Sequence, residues 1–316
     1  MWQLLKRLSM GCICGKETIY VDNRKFYIRS HLAEGGFSRI DLIEDDNSNL
    51  FALKRINCHN VKDEEIAAKE IDFMKRVKHE RIISLECSEL VPFKGYQGPN
   101  SPQSEALLVM PFYRRGTLFD HVLRIRKRGE FLGEVEVLSL FEQICEGVCA
   151  LHTLNPSVAH RDLKPHNVLL TDEEEAILMD LGSAALSRPV IDNSRQALVI
   201  QDEVNERCSM PYRPPELFNV QIGSGISEKT DIWSLGCTLY AICCGESPFD
   251  ETYCKGDSIA LAVLAGRIKF PTDWPYSDGL KRLINDMLHI NAEDRPDIHV
   301  VILQISSMLR ALENRV

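Results

Sequence analysis

The chain has 316 residues, of which 44% are hydrophobic and 26% charged, the composition of a globular enzyme with a substantial core. Its formal net charge of −9 argues against a protein that coats nucleic acid, because that function needs clustered lysine and arginine, and we expect no nucleic-acid partner. The eleven cysteines, many of them in apolar helical stretches, are interpreted as buried small hydrophobic residues in a reducing compartment. No apolar run approaches the roughly 20 residues of a membrane-spanning helix.

Residues 1–24 are predicted to form an N-terminal tail, which contains the stretch "LSMGCICGK". Cys12 and Cys14 supply only two ligands, so they do not make a zinc site by themselves. The reducing context also disfavours a disulfide between them. Neither zinc binding nor a disulfide therefore explains this pair of cysteines.

Three strands are predicted after the tail, between residues 25 and 56. The segments "KFYIRSHL", "RIDLIED" and "LFALKRI" each alternate apolar and polar residues, and a glycine turn and the polar turn "DNSN" separate them. This pattern predicts an antiparallel meander.

A helix is predicted next, over "KDEEIAAKEIDFMKRVKH". Its apolar residues recur at helical spacing: Ile66, Phe73, Met74 and Val77. Glu70 lies on the same stripe, and a buried carboxylate is costly unless a cation meets it. Lys54, in the preceding strand, is the nearest candidate in the sequence.

The character of the chain changes after two further strands, which a loop rich in proline and glycine separates. From about Phe119 the chain is mostly helical, with a loop-rich interval over residues 156–216. We place the boundary between a β-rich and an α-rich part near Pro111 to Gly116. The run "TDEEE" is interpreted as a solvated turn between the strands "NVLL" and "AILMDLG".

Residues 160–182, "HRDLKPHNVLLTDEEEAILMDLG", carry the strongest chemical signal. The carboxylates of Asp162 and Asp180 would suit glycoside hydrolysis, but that reaction gives Arg161, Lys164 and Asn167 no task. Phosphoryl transfer uses all of these residue types, because it needs an oriented hydroxyl, cations and hard oxygen ligands for Mg²⁺. The segment therefore favours phosphoryl transfer.

The segment "HRDLKPHN" resembles the catalytic loop H-R-D-x-K-P-x-N of the protein kinase superfamily. "FALK", "DLG", "PPE", "DIWSLG" and "EDRP" follow in the order of that family's other motifs. The resemblance implies an α+β, bilobal protein kinase fold, with a small β-rich N-lobe over 25–110, a larger α-helical C-lobe over 111–310 and a C-terminal tail over 311–316.

The resemblance also implies catalytic roles. Asp162 would orient the substrate hydroxyl, Lys164 would steady the transferred phosphate, and Asn167 and Asp180 would bind Mg²⁺. A lysine two residues after the aspartate is the pattern of serine/threonine kinases, and Ser209 stands where those kinases have a threonine that contacts the aspartate. Protein substrates with serine or threonine acceptors are therefore implied.

Further roles follow from the same resemblance. Lys54 would hold the α- and β-phosphates of ATP and pair with Glu70. Glu216 would pair with Arg295, and Asp231 would brace the catalytic loop from a central helix.

The predicted ATP site includes a glycine-rich loop that matches the family pattern poorly. In "AEGGFSRI", Ala33 and Ser38 replace glycines and Ile40 replaces a valine, while Gly35 matches and Gly36 lies beside it. Because alanine and serine are small, we expect ATP binding to survive. The residues implied to contact ATP, with Met110 as gatekeeper and the backbone of Pro111 and Tyr113 on adenine, are Leu32, Ala33, Glu34, Gly35, Gly36, Phe37, Ser38, Ile40, Ala52, Lys54, Met110, Pro111, Phe112, Tyr113 and Leu169.

The altered glycine loop keeps a second class open, a pseudokinase that acts as a nucleotide-binding scaffold. Lys54, Glu70, Asp162, Asn167 and Asp180 are all present, which favours the enzyme. A pure membrane adaptor would leave these residues without a task. The sequence does not indicate an oligomeric state.

A helix over Ser194 to Glu206 is predicted between "DLG" and "PPE". This insert and segments such as "EGGFSRIDL" resemble the myristoylated and palmitoylated serine/threonine kinases of the Numb-associated kinase group. That resemblance implies autophosphorylation and a place on the cytoplasmic face of membranes, with the Golgi or trans-Golgi as the implied organelle; the alternative is a cytosolic protein.

The same group gives the N-terminal stretch a meaning. If translation begins at Met10, Gly11 becomes the first residue and a candidate for myristoylation, with Cys12 and Cys14 as palmitoylation sites. Gly15 stands where the acylation motif has serine or threonine. Two acyl chains would hold the protein on a membrane surface, whereas a start at the first methionine gives no N-terminal glycine.

Overall fold

The computed structural model describes residues 17–35, 38–95, 98 and 101–314. The chain divides into two compact units. The first unit contains the described residues up to Glu64 together with Leu85–Phe112, and the second contains Glu65–Ser84 and the residues from Tyr113 onward. The predicted lipidation residues Gly11, Cys12 and Cys14 lie outside the described residues.

A six-stranded antiparallel sheet forms the first unit, in the order β1-β2-β3-β4-β6-β5. Its strands are β1 Thr18–Val21, β2 Arg24–Glu34, β3 Ser38–Glu44, β4 Leu50–Cys58, β5 Cys87–Pro92 and β6 Ser104–Pro111. The predicted meander is confirmed, since β2, β3 and β4 pair in sequence. Strand β1 lies within residues 1–24, the segment expected to be a tail.

The core of the first unit lies against this sheet. Its buried members are Val21, Phe26, Ile43, Leu53, Cys87, Leu107 and Val109. Val21 is fully buried among them, which explains why the four residues of β1 pair with β2 rather than continue a tail.

Helix α1, Val61–Arg76, contributes its residues from Glu65 onward to the second unit. Acidic residues in its first turn and basic residues in its last turn favour the helix through its dipole. Glu70 is only 4% exposed and shares the buried face with Ala67, Phe73 and Met74. The predicted helix and the predicted burial of its acid are both confirmed.

The second unit is mainly helical. Its further elements are α2 Leu118–Arg126, α3 Glu134–His152, β7 Val158–Ala159, β8 Val168–Leu170, β9 Ala176–Leu178, β10 Ala185–Leu186, α4 Ser194–Arg207, α5 Lys229–Cys244, α6 Asp250–Cys254, α7 Ile259–Leu264, α8 Asp278–Met287 and α9 Ile298–Glu313. Helix α5 is buried along almost its whole length and packs against α3 and α8. Helix α9 extends into residues 311–316, the segment expected to be a C-terminal tail.

Two short strand pairs position the segment with the strongest chemical signal. Strand β7 pairs with β10, and β8 pairs with β9, both antiparallel. The β8–β9 hairpin was predicted around the acidic turn and is confirmed. Residues 160–167 therefore lie between β7 and β8, and residues 179–184 between β9 and β10.

Helix α4 confirms the helix predicted between "DLG" and "PPE". The side chain of Asn193 accepts a hydrogen bond from the Gln196 N–H at 3.0 Å and begins the helix. The helix packs into a separate core cluster whose buried members are Ile191, Ala197, Val204, Cys208, Leu217, Val220 and Ile226. Gln201 also accepts from the Val220 N–H at 2.7 Å, so α4 is fixed to the chain that follows it.

The described residues contain no helix that is long and apolar enough to cross a membrane. Nine cysteines lie in this part of the chain and all are free thiols. Most are buried, and burial raises the pKa of Cys208 to about 12, so that thiol is neutral at physiological pH.

Two valines on α4 test how strongly the cluster holds this helix. Val204 is 1% exposed and Val199 is 46% exposed. Val204→Ala should lower the free energy of unfolding by about 2 kcal/mol, because two carbons leave a packed site. Val199→Ala should change it by less than about 0.5 kcal/mol, with the same gain in helix propensity. Urea denaturation followed by circular dichroism measures both, and equal effects would contradict the packing described here.

Candidate active site

The backbone of the segment 160–167 is held by Asp231 of helix α5. Its carboxylate accepts hydrogen bonds from the N–H groups of His160 at 2.8 Å and Arg161 at 2.9 Å, and from Nε2 of His152 at 2.9 Å. Burial is the largest single influence on the pKa of Asp231 and acts to raise it, but the hydrogen bonds from His152 and the Arg161 N–H and the nearby positive charge together outweigh burial, and the pKa is lowered. The predicted brace is therefore present, and its carboxylate is ionised.

Three donors converge on the carboxylate of Asp162. Oδ2 accepts from Lys164 Nζ at 2.8 Å and from Asn167 Nδ2 at 2.9 Å, while Oδ1 accepts from the Ser209 N–H at 2.9 Å. Asp162 is only 7% exposed. The structure thus brings together the four residues that the sequence predicted at one place, and it fixes the direction of the Asp162 carboxylate.

Lys164 makes a second contact that ties this loop to the segment before "PPE". Its Nζ donates to Ser209 Oγ at 2.6 Å as well as to Asp162. The predicted contact between Ser209 and Asp162 is present, through the backbone N–H of Ser209. The side chain of Lys164 is 21% exposed, so its ammonium group is held in place and still reaches solvent.

Asn167 and Asp180 are the predicted ligands of a divalent cation, and Asn167 is oriented for that role. Its Nδ2 group donates to Asp162 O at 2.8 Å and to Asp162 Oδ2, which leaves the amide oxygen to face a cation. The Met179 N–H donates to Asn167 O at 2.9 Å and places Asp180 next in the chain. One carboxylate and one amide oxygen fit Mg²⁺, which proteins hold through few side chains together with phosphates.

The segment "DLG" adopts a constrained backbone. Asp180 has φ 63° and ψ 75°, a left-handed conformation, and its side chain accepts from the Gly182 N–H at 3.4 Å. Leu181, which stands where most of the family has phenylalanine, is 1% exposed, so the apolar packing role is kept. The position of Asp180 therefore depends on the residues on both sides of it.

Gly182 lies against two acids. A Cβ atom on Gly182 would be 3.1 Å from Asp180 Oδ1 and 3.1 Å from Glu70 Oε2. This spacing places the carboxylate of Glu70, from α1, next to the "DLG" segment. Any side chain at Gly182 must displace one acid or the other.

Glu216 and Arg295 form the predicted ion pair. Arg295 donates from Nη1 to Oε1 at 2.7 Å and from Nη2 to Oε2 at 2.8 Å, a bidentate arrangement. The Arg295 side chain is fully buried and also donates to the carbonyls of Lys229, His289 and Ile290. The segment that ends at Glu216 is thus anchored to the loop before α9.

Several predicted ATP-contacting residues lie in the first unit. Lys54 of β4 pairs in register with Ile40 and Leu108 and is 9% exposed. Met110 is 8% exposed and lies opposite Ala52. Glu70 belongs to the second unit, and its pairing with Lys54 stays a prediction.

The β2–β3 turn shows what the altered glycine loop requires. Ala33 and Ser38 lie in the two strands without positive φ, and the Gly35 N–H donates to Ser38 O at 2.7 Å. The backbone conformation therefore does not need glycine at either replaced position. Gly36 and Phe37 lie outside the described residues.

Sequence reasoning missed the residues that support the loop from behind. His160 accepts from the Asp162 N–H through Nδ1 at 3.3 Å and donates from Nε2 to Met179 O at 3.1 Å, the pattern of a neutral ring. Arg213 donates to Val204 O at 3.0 Å and Cys208 O at 2.8 Å, which satisfies the C-terminal carbonyls of α4. The histidine of the "HRD" motif was a usable signal, whereas nothing in the sequence singled out Arg213.

The family model for the protein kinase domain matches residues 26–305. The chain therefore belongs to the protein kinase family, and the predicted α+β protein kinase fold is confirmed.

The chain is 40% identical to Serine/threonine-protein kinase 16 of Rattus norvegicus and of Homo sapiens, over 94% of each chain. It is 30% identical to Serine/threonine-protein kinase ppk13 of Schizosaccharomyces pombe, over 92% of each chain. The prediction of a protein serine/threonine kinase is confirmed.

Gly182→Ala tests the close approach of Glu70 and Asp180. The added methyl group must push one of the two carboxylates by a few tenths of an ångström, and we expect kcat to fall by about tenfold. The matched control is Gly225→Ala, because a Cβ at Gly225 meets nothing within 4 Å. Steady-state kinetics and thermal denaturation of both variants measure the effect. Full activity of Gly182→Ala would contradict the spacing.

Proposed function

We propose that this chain transfers the γ-phosphate of Mg-ATP to serine and threonine hydroxyls of protein substrates. The observation that carries the proposal is the set of three hydrogen bonds from Lys164, Asn167 and Ser209 to the carboxylate of Asp162. The similarity of this chain to serine/threonine kinases, along almost its whole length, supports serine and threonine as the acceptors.

Asp162 has room for a substrate hydroxyl. A carboxylate oxygen offers about two acceptor positions, and both positions of Oδ2 are taken by Lys164 and Asn167. Among the described residues, Oδ1 accepts only from the Ser209 N–H, which leaves one position for a substrate. A serine or threonine hydroxyl that donates there is oriented for attack and has its proton directed at the base.

Lys164 supplies positive charge beside the acceptor. Because Nζ is fixed by Asp162 and Ser209, it stays within reach of a phosphate transferred to a hydroxyl on Asp162. A preorganised cation stabilises the charge that spreads over the phosphoryl oxygens without reorganisation during the reaction.

Asn167 and Asp180 would hold Mg²⁺, and Lys54 would hold the α- and β-phosphates of ATP. When bound, the divalent ion supplies neutralisation of charge on the phosphates. The chain's own contribution is positioning: the Asn167 amide is turned by its two bonds to Asp162, and Asp180 is held by its left-handed backbone. The same transfer to exposed hydroxyls of the chain itself gives autophosphorylation.

Asp162→Asn should reduce kcat by about a thousandfold, because the base is lost and an amide donor faces the Lys164 ammonium group. Binding of ATP with Mg²⁺ should persist, which isothermal titration calorimetry measures separately. The matched control is Asp202→Asn, an exposed position on α4. Equal phosphate incorporation by wild type and Asp162→Asn would refute the transfer mechanism and favour a nucleotide-binding scaffold.

We further propose that the chain that starts at Met10 is myristoylated on Gly11 and palmitoylated on Cys12 and Cys14. One myristoyl chain binds a membrane only marginally, and a second acyl chain makes attachment durable. The proposed location is the cytoplasmic face of membranes, with the Golgi as the organelle that the group resemblance favours.

Cell fractionation tests the anchor. In a chain expressed from Met10, Gly11→Ala and Cys12→Ser/Cys14→Ser should each move most of the protein from the membrane to the soluble fraction. Cys254→Ser, which alters an exposed cysteine elsewhere, should leave the distribution unchanged. Unchanged membrane association in both acylation variants would refute the proposal.

A further inference from the structure

Helix α2 and its flanking turns carry an unusual concentration of positive charge. Residues 113–130 contain six arginine and lysine residues and two acids, in a chain whose net charge is −9. Two of these cations have local partners: Arg115 pairs with Glu174, and Arg126 lies 3.9 Å from the centre of the Phe131 ring. These local contacts do not explain the other four cations.

Three of the remaining cations form a continuous group at the end of α2. Arg124, Lys127 and Arg128 are exposed, and none of them forms an ion pair within the part of the chain that the structure describes. Arg124 donates to the Asp120 carbonyl, and the exposed acid next in sequence is Glu130. Cations at a helix C-terminus favour the helix, but the interaction does not extend beyond the last turn. We call these three residues the α2 basic surface.

The other end of α2 contacts the catalytic loop. Thr117 forms a bridge with Leu169, and the Phe119 ring stacks on the His166 ring with centroids 3.7 Å apart. Arg128 follows Phe119 by nine residues, which is about 14 Å along a helix. An extended peptide covers about 14 Å in four or five residues. A substrate bound at Asp162 can therefore reach the α2 basic surface with residues near its acceptor.

We propose that the α2 basic surface binds an acidic segment of the protein substrate, about five to eight residues from the phosphorylated serine or threonine. The proposal rests on the proposed transfer to protein hydroxyls and adds a substrate class to it. Because the rest of the chain is acidic, this surface attracts a negatively charged segment that most of the molecule repels.

A lipid surface fits these observations less well. A helix that lies on a membrane presents an apolar face beside its cations. In α2, Leu118 and Val122 are buried, and none of its described residues is an exposed large hydrophobic. The surface is thus charged without an apolar face, which favours an acidic peptide.

Binding of two labelled peptides tests the proposal by fluorescence anisotropy. Each peptide carries one serine and, about five residues from it, a run of glutamates in the first peptide and of glutamines in the second. A second pair of peptides has the same runs on the other side of the serine. The test variant is Arg124→Gln/Lys127→Gln/Arg128→Gln. Its matched control, Arg267→Gln/Arg282→Gln/Arg310→Gln, removes three exposed cations elsewhere in the second unit.

The test variant should bind one of the glutamate peptides about tenfold more weakly than wild type, since three exposed ion pairs are lost together. It should bind the glutamine peptides as wild type does, and the difference should shrink at high salt. For phosphorylation of the same peptides, KM should rise with kcat unchanged.

Equal weakening by the test and control variants, or no weakening by either, would overturn the proposal. So would loss of binding to phosphatidylserine vesicles in the test variant with unchanged peptide binding, which would assign the surface to a membrane. Anisotropy does not depend on catalysis. If the test variant loses peptide binding but wild type phosphorylates no peptide, the acidic-segment site stands and the proposed transfer fails.

Discussion

Asp231 holds a negative charge in a fully buried position of helix α5, where an uncompensated carboxylate would cost several kcal/mol. The compensating donors are the backbone N–H groups of His160 and Arg161 and the ring of His152. Two of these donors belong to the catalytic loop, so moving the loop would strip a buried charge of its partners. The free energy that keeps Asp231 ionised therefore also fixes the backbone that carries Asp162.

The same loop is joined to helix α4 by contacts that do not involve a phosphate. Ser209 meets both Asp162 and Lys164, and the residue before it, Cys208, is buried in the α4 cluster. Arg213 closes the end of α4 through two carbonyls. The position of the base is thus determined by the packing of Cys208 and by hydrogen bonds in which one partner is charged, which suits a segment that carries its own helix.

The sequence predicted those features that depend on local pattern. Helix α4 and the burial of Glu70 follow from helical spacing, and the acid on an apolar stripe was informative because burying it is costly. Strand β1 could not be predicted in this way, since four residues are too short for a periodicity and Val21 is buried partly by a strand that is distant in sequence, β5. Strands β7 and β10 have only two residues each, too few to show a periodicity. Arg213 donates to backbone carbonyls, which every residue has, so its partners leave no pattern in the sequence.

The glycine positions show that a family motif can ask for glycine where the backbone does not need it. In the β2–β3 turn the motif predicts glycines, but Ala33 and Ser38 occupy strand conformations without positive φ, so small side chains cost the backbone nothing. At Gly182 a Cβ would lie 3.1 Å from a carboxylate oxygen of Asp180 and 3.1 Å from one of Glu70, closer than ordinary contact. Because a Cβ there would crowd both Asp180 and Glu70, loss of that glycine displaces one acid or the other, whereas the altered glycine loop leaves the described strand geometry intact. Glycine is needed where neighbouring atoms leave little room for a Cβ, and Gly182 of the "DLG" segment is such a position.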